Sequence, residues 1–185
     1  MPRLTNTADR YGLLAILLHW GMAVALVALV GTGLYMVAMP NVGFDTAKIT
    51  LILVHKAVGM GVLAAAVLRL AWRMANRMPR LAAGLPLWQQ VAARFVHLAL
   101  YGLMIALPVS GWLMSSAGGY PIPLFGGIVV PDLIGVNDHL FQLLIAIHRW
   151  LAYAFILLAS LHMAAALHHH AVLKDDTLRK MLPGG

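Results

Sequence analysis

The chain has 185 residues, of which 62% are hydrophobic and only 10% are charged. Because a soluble globular domain of this size needs more charge on its surface, this composition indicates an integral membrane protein. The net charge of +7 comes from basic residues beside apolar segments, which indicates topology signals rather than nucleic-acid binding. The absence of cysteine excludes disulfides, Fe–S clusters and covalently attached c-type haem.

Four apolar runs are long enough to cross a bilayer. They cover about residues 12–39, 49–73, 91–114 and 140–167. Each run is continuously apolar, which excludes a β-barrel, and backbone groups in lipid must be satisfied within each segment. The sequence therefore predicts an all-α integral membrane protein, a four-helix transmembrane bundle that forms a single domain over residues 1–185. The third connection, residues 115–139, is rich in Gly and Pro yet apolar, and we expect it at the outer interface of the membrane.

The distribution of basic residues predicts the orientation of the bundle. Three basic residues, Lys48, Lys56 and Arg149, fall on the side opposite the termini. Ten fall on the side shared by the N-terminus, the second connection and the C-terminus: Arg3, Arg10, Arg69, Arg73, Arg77, Arg80, Arg94, Lys174, Arg179 and Lys180. Since Lys and Arg accumulate on the cytoplasmic side of membrane proteins, we expect both termini in the cytoplasm.

Two histidines of the last apolar run, His148 and His162, are fourteen residues apart. On an α-helix this spacing returns to within about 40° of the starting direction and rises about 21 Å, so both imidazoles point the same way, one near each edge of the bilayer. His19 and His55 lie in other runs at matching depths: His19 with His162 at the inner level, and His55 with His148 at the outer level. Titratable side chains are costly in hydrocarbon, so these four histidines are candidates for a functional site.

Paired neutral imidazoles at two levels indicate two bis-histidine haems, one above the other. Two axial ligands give a closed, low-spin iron site suited to electron transfer. Ala152 and Ala159 leave room for flat macrocycles beside the last helix, and Phe155 lies between the two levels. Small residues also allow close helix packing, but together with four depth-matched histidines they favour haem. Without cysteine, both groups are expected to be non-covalently bound haem b.

Five further histidines have other interpretations. His97 lies about as deep as His19 and is an alternative inner ligand, although Tyr101 one turn away is bulky. A hydrogen bond to a haem propionate or to a bound quinone is the other interpretation of His97. His139 lies at the outer boundary, and the triplet His168–His170 lies at the cytoplasmic edge. Solvation at the interface is favoured over metal binding for the triplet.

Basic side chains near the candidate haems provide possible partners for their propionates. Arg69 and Arg73 are one turn apart at the inner end of the second run. They are either ordinary cytoplasmic anchors or, for Arg69 above all, hydrogen-bond donors to the inner-haem propionates. Lys56 and Arg149 each follow a candidate outer ligand directly. They either neutralise the outer-haem propionates or form a positive entrance that attracts a small anionic reductant.

Four segments carry a resemblance to a known family. They are RYGLLAILLHW around His19, HKAVGMGVLAAAVLRLAWR from His55, HLALYGLMIALPVSG in the third run, and LHMAAALHHHAVLKDDTLRKMLP at the end of the chain. The chain resembles the bacterial cytochrome b561 family, four-helix di-haem membrane cytochromes related to the b subunits of Ni–Fe hydrogenases, over nearly its whole length. The resemblance implies ligands from the first, second and fourth helices, which correspond to His19, His55, His148 and His162 and favour His19 over His97.

The resemblance implies electron transfer between the outer face and the quinone pool of the bacterial inner membrane. The chain is then an oxidoreductase that oxidises superoxide and reduces ubiquinone, or an electron carrier for a periplasmic redox protein. An alternative is a haem-bearing anchor subunit that relays electrons for a separate dehydrogenase. A haem-free transporter that uses histidine for protons or metal is a third alternative, which the paired histidines disfavour.

Overall fold

The computed structural model describes residues 4–40, 45–80 and 85–183. Within them lie four long helices: α1 (Leu13–Ala38), α2 (Thr46–Ala75), α3 (Leu87–Ala117) and α4 (Asp138–His168). All four are long and apolar enough to cross a membrane. The predicted four-helix membrane bundle is therefore confirmed. Of the basic residues used to predict the orientation, Arg3 lies outside the described residues.

Helix α1 lies within its predicted apolar run, whereas α2, α3 and α4 extend beyond theirs, because a helix can continue past its last apolar residue to a capping residue. Helix α2 begins three residues before the predicted start, where the Asp45 carboxylate accepts hydrogen bonds from the backbone N–H groups of Ala47 (2.9 Å) and Lys48 (3.1 Å). Helix α4 begins after Asn137, whose side-chain oxygen accepts from Leu140 N at 2.9 Å. These polar caps lie outside any hydropathy window, so the pattern alone underestimates helix length.

Consecutive helices pack against one another along the bundle, and α4 packs chiefly against α3. Between the two histidine levels lies a buried apolar cluster to which every helix contributes. Its members are Met22, Val62, Ala66, Met104 and Phe155. Phe155 is seven residues from both His148 and His162, or about 10 Å of helix rise from each. The middle of the bundle is therefore filled with apolar side chains, and polar groups concentrate near the two ends.

The third connection folds back over the outer end of the bundle, which is the end opposite the termini. Two short antiparallel strands, β1 (Ile122–Pro123) and β2 (Val129–Val130), form its centre. Ser115 and Ser116 are buried at the end of α3; Ser115 Oγ donates to Tyr120 O at 2.6 Å, and Ser116 Oγ accepts from Leu133 N at 3.1 Å. These bonds hold the connection as an ordered cover above the outer histidines.

The inner end of the bundle joins three parts of the chain that are far apart in sequence. Asn6 Nδ2 donates to Arg77 O at 3.0 Å, which ties the N-terminal segment to the second connection. Trp20 Nε1 donates to Met181 O at 2.7 Å, and Lys180 Nζ donates to Arg80 O at 2.9 Å. Both terminal segments and the second connection therefore lie at the same end, as the predicted topology requires.

The chain leaves α4 through one π-helical turn, His169–Leu173, and a left-handed Lys174 (φ 54°). The turn is stabilised by Asp175, which accepts from His169 Nδ1 at 2.5 Å and from Thr177 N at 2.9 Å. Partial burial raises the pKa of Asp175, but these hydrogen bonds to the charged carboxylate outweigh it, and the net pKa lies below the ordinary value of 3.8.

Candidate functional site

The structure brings the four candidate histidines together in the two predicted pairs. At the outer level, the ring centroids of His55 (α2) and His148 (α4) are 6.4 Å apart and their planes cross at 73°. At the inner level, His19 (α1) and His162 (α4) are 6.3 Å apart and cross at 78°. The two pairs thus have nearly the same geometry at the two ends of α4.

This separation can be compared with that of two axial ligands on one iron. Each metal–nitrogen bond is about 2 Å long, and the ring centre lies about 1 Å beyond the nitrogen. The centroids of two imidazoles on opposite sides of one iron are therefore roughly 6 Å apart. Both observed separations agree with this value. The residues present therefore fit one bis-histidine iron at each level.

A third imidazole, that of His97 on α3, lies beside the inner pair. Its centroid is 5.1 Å from that of His162, about 1 Å too close for an iron between the two rings. His97 is also more exposed than the paired histidines. The geometry therefore separates His97 from the other two inner imidazoles.

Each outer histidine makes a hydrogen bond to a hydroxyl group of a neighbouring helix. Thr32 Oγ1 of α1 is 3.2 Å from His55 Nδ1, and Ser110 Oγ of α3 is 2.9 Å from His148 Nδ1. A pocket of about 80 Å³ between α1 and α2 borders both Thr32 and His55. The outer rings are therefore held by groups that the sequence analysis did not single out.

Lys56 and Arg149 are the basic residues next to the outer pair. The Lys56 ammonium lies 5.5 Å from the centre of the Tyr120 ring, which belongs to the cover above the outer level. This distance is typical of a cation–π contact. Arg149 is exposed. The two residues thus place positive charge at the outer end of the bundle.

Two arginines of α2 lie at the level of the inner pair. Arg69 Nη2 donates to His19 Nδ1 at 2.9 Å. Arg69 and Arg73 also lie over the Tyr101 ring, with guanidinium carbons 5.4 and 5.2 Å from its centre. Burial raises the pKa of the neighbouring Tyr11 phenol, and the charge of Arg73 opposes that effect. Tyr11 directly follows Arg10, just before the first span, and no spacing or charge pattern in the sequence singled it out.

The remaining histidines do not form a metal site in the described parts of the chain. His139 is exposed at the start of α4, and His168 and His170 are exposed at its end. Among the residues that the structure describes, no three His, Asp or Glu side chains are grouped so that they could hold a metal ion.

Fold and site together define the class of protein: a multi-pass helical membrane protein with two levels of paired histidines, spaced as axial ligands of iron. The family model for prokaryotic cytochrome b561 matches residues 10–184, and the chain belongs to this family. The family carries out membrane electron transfer and implies haem b, a redox partner of the quinone kind and a location in the inner membrane.

Three curated relatives show how far the similarity extends. Cytochrome b561 homolog 2 of Escherichia coli (strain K12) is 35% identical over 178 residues, which cover 96% of this chain and 94% of the relative. Cytochrome b561 homolog 1 of the same organism is 35% identical over 99 residues, 53% of this chain and 55% of the relative. A probable superoxide oxidase CybB of Yersinia pestis is 39% identical over 87 residues, 47% of this chain and 49% of the relative.

Proposed function

We propose that this chain holds two low-spin b haems and transfers electrons between a reductant at the periplasmic face and ubiquinone in the membrane. His55 and His148 would hold the outer haem, and His19 and His162 the inner one. The equal spacing of the two pairs, 6.4 and 6.3 Å between ring centroids, is the observation that carries the proposal. When bound, each haem supplies reversible one-electron transfer at its iron.

The side chains around the pairs have separate tasks in this proposal. The apolar cluster around Phe155 keeps water out of the space between the two levels. Arg69 and Arg73 would donate charge-assisted hydrogen bonds to the propionates of the inner haem. Lys56 either does the same for the outer propionates or attracts an anion to the outer level.

The contact between Arg69 and His19 opposes iron binding by His19. A guanidinium can only donate hydrogen bonds, so its contact with His19 Nδ1 (2.9 Å) makes that nitrogen an acceptor. A neutral imidazole that accepts at Nδ1 carries its proton on Nε2, the nitrogen that would bind iron. Binding of the inner haem therefore requires Arg69 to move, and the propionates are its expected new partners.

The proposed orientation places both termini in the cytoplasm. It is supported by nine basic residues of the described parts of the chain at the end that holds the termini, against three at the other end. The hydrogen bonds from Asn6, Trp20 and Lys180 join the terminal segments and the second connection at that basic end. The cover formed by the third connection then faces the periplasm.

Superoxide is the reductant that we favour, with ubiquinone as the acceptor. Two superoxide anions would each lose one electron to become dioxygen, and one ubiquinone would take up both electrons and two protons to become ubiquinol. Positive charge at Lys56 and Arg149 supports a small anionic donor at the outer level. The similarity to a relative named a probable superoxide oxidase, although over only about half of each chain, also supports it.

The proposal is tested with purified protein in ubiquinone-containing liposomes supplied with an enzymatic source of superoxide. We expect ubiquinol to form, with the haems passing through the reduced state. In a His148→Ala variant, superoxide should neither reduce the remaining haem nor support ubiquinol formation. A matched sample with superoxide dismutase should form no ubiquinol. Haems that are reduced only by a periplasmic redox protein, and never by superoxide, would contradict superoxide as the donor and favour a relay subunit.

A further inference from the structure

Each outer histidine faces a hydroxyl residue followed by glycine on the neighbouring helix. His55 faces Thr32–Gly33 of α1, and His148 faces Ser110–Gly111 of α3. We call these two dipeptides the hydroxyl–glycine pairs. The same arrangement thus occurs twice, on two different helices, at one level of the bundle.

The single proton of each hydroxyl is already directed elsewhere. Thr32 Oγ1 donates to Ala28 O at 2.9 Å, and Ser110 Oγ donates to Leu107 O at 2.7 Å. A hydroxyl has one proton and two lone pairs, so each oxygen can only accept from the imidazole that it faces. Its histidine must therefore carry a proton on Nδ1, which leaves the lone pair on Nε2.

A glycine backbone faces each ring, and it lies closer to the ring at Gly111 than at Gly33. A Cβ added to Gly33 would lie 3.5 Å from His55 Cε1, and one added to Gly111 would lie 3.3 Å from His148 Cε1. The backbone itself therefore forms the wall against which each ring rests. Together, glycine and hydroxyl limit both the position and the rotation of the ring.

We propose that Thr32 and Ser110 are positioning residues for the outer haem: they fix both axial histidines in the tautomer that binds iron through Nε2 and lower the reduction potential of that haem. An acceptor on the distal ring nitrogen makes a histidine a more basic ligand, which favours the oxidised metal. This inference rests on the ligand assignment proposed above.

The inner level lacks this arrangement at His19, where the partner of Nδ1 is the donor Arg69 instead of an acceptor. The outer pair therefore has its ligand tautomers set before haem binds, whereas His19 must first lose its contact with Arg69. The two haems of one chain are accordingly expected to differ in potential, with the outer ligands the more basic.

The test compares Thr32→Val, which has the same shape but no acceptor, with Thr32→Ser, which restores the hydroxyl. We expect Thr32→Val to weaken the preference of the outer site for ferric over ferrous iron roughly tenfold. For a one-electron couple, this change raises the reduction potential of the outer haem by about 59 mV. Thr32→Ser should retain the wild-type potential. The two haems are resolved by redox titration and EPR, and the outer one is assigned by its loss in His148→Ala.

Ser110→Ala is the second variant and should have a smaller effect, because Leu107 O is also a hydrogen-bond partner of the His148 ring. Thr50→Val is the matched control. The Thr50 hydroxyl likewise donates to a helix carbonyl, that of Thr46 at 2.8 Å, but Thr50 is exposed on α2. Neither the outer nor the inner potential should change in this control.

The outcomes separate this inference from the proposed function. A raised outer potential or loss of the outer haem in Thr32→Val, reversed in Thr32→Ser, supports the positioning role. An unchanged outer haem in Thr32→Val, or equal damage in Thr32→Val and Thr32→Ser, overturns it while the di-haem assignment stands. A wild-type protein without an outer haem overturns both.

Discussion

Replacing His19 by Ala should remove the inner haem, whereas replacing His97 by Ala should leave it in place. Both imidazoles lie close to His162, so the distinction depends on distance. The His19 and His162 centroids are 6.3 Å apart, against 5.1 Å for His97 and His162. An iron between the latter two would have to shorten each bond by about 0.5 Å, which exceeds the tolerance of roughly 0.2 Å for metal–ligand distances.

The assay for this prediction is the absorbance and EPR spectrum of each purified variant. His19→Ala should lose the low-spin signal of the inner haem and retain that of the outer one, so haem per chain falls from two to one. His97→Ala should retain both haems and at most shift the inner potential. The outer haem serves as an internal measure of folding in both variants.

The opposite result would refute the distance argument. If His97→Ala loses the inner haem and His19→Ala keeps it, then the helices rearrange on haem binding and the separations described here do not define the ligands. Loss of both haems in both variants would show instead that the bundle needs both imidazoles to fold. The variants His19→Met, which retains an iron ligand, and His97→Met would then be compared.

Three further predictions concern other parts of the chain. Gly111→Ala places a Cβ 3.3 Å from His148 Cε1, which is tighter than ordinary contact, and should alter the absorbance spectrum of the outer haem. Gly33→Ala places a Cβ at an ordinary 3.5 Å from His55 Cε1 and should leave the spectrum unchanged. Equal effects of the two substitutions would contradict the packing argument. Because the pKa of Asp175 is lowered on folding, its stabilisation of the C-terminal segment is complete above the ordinary value of 3.8 and is lost as the pH falls through the lower, folded value. The protection factors of residues 174–182, which compare hydrogen exchange with the intrinsic rate at the same pH, should therefore fall at low pH in the wild type, and should already be low at neutral pH in Asp175→Asn. Reduction of the outer haem by superoxide should slow with added salt and slow further in Lys56→Gln and Arg149→Gln, with haem content measured first; a rate indifferent to both would favour a protein or quinol donor.

The fold and the histidine pairs could be predicted because strong, local signals encode them. Long apolar runs specify membrane helices, and a fourteen-residue spacing puts His148 and His162 on one face of α4 whatever the neighbouring helices do. Depth matching with His19 and His55 then needs only the order of the spans. The helix ends were less predictable, because Asp45 and Asn137 cap helices outside the apolar runs.

The contacts around the histidines could not be predicted from spacing. Whether Thr32 or Ser110 reaches an imidazole depends on the rotation and crossing of two helices, and such hydroxyl and glycine residues are common in membrane helices for packing alone. A usable signal did exist: each hydroxyl precedes a glycine at the depth of an outer histidine. The interaction of Arg69 with His19 likewise depends on which way α2 faces.

Counting the haems bound to each polypeptide decides whether the chain holds two b haems between paired histidines. A pyridine haemochrome assay of the purified wild-type protein, with the polypeptide quantified by amino-acid analysis, gives the number of haems per chain. We expect two haem b per chain in the wild type and one in His148→Ala or His162→Ala. One haem per wild-type chain would contradict it.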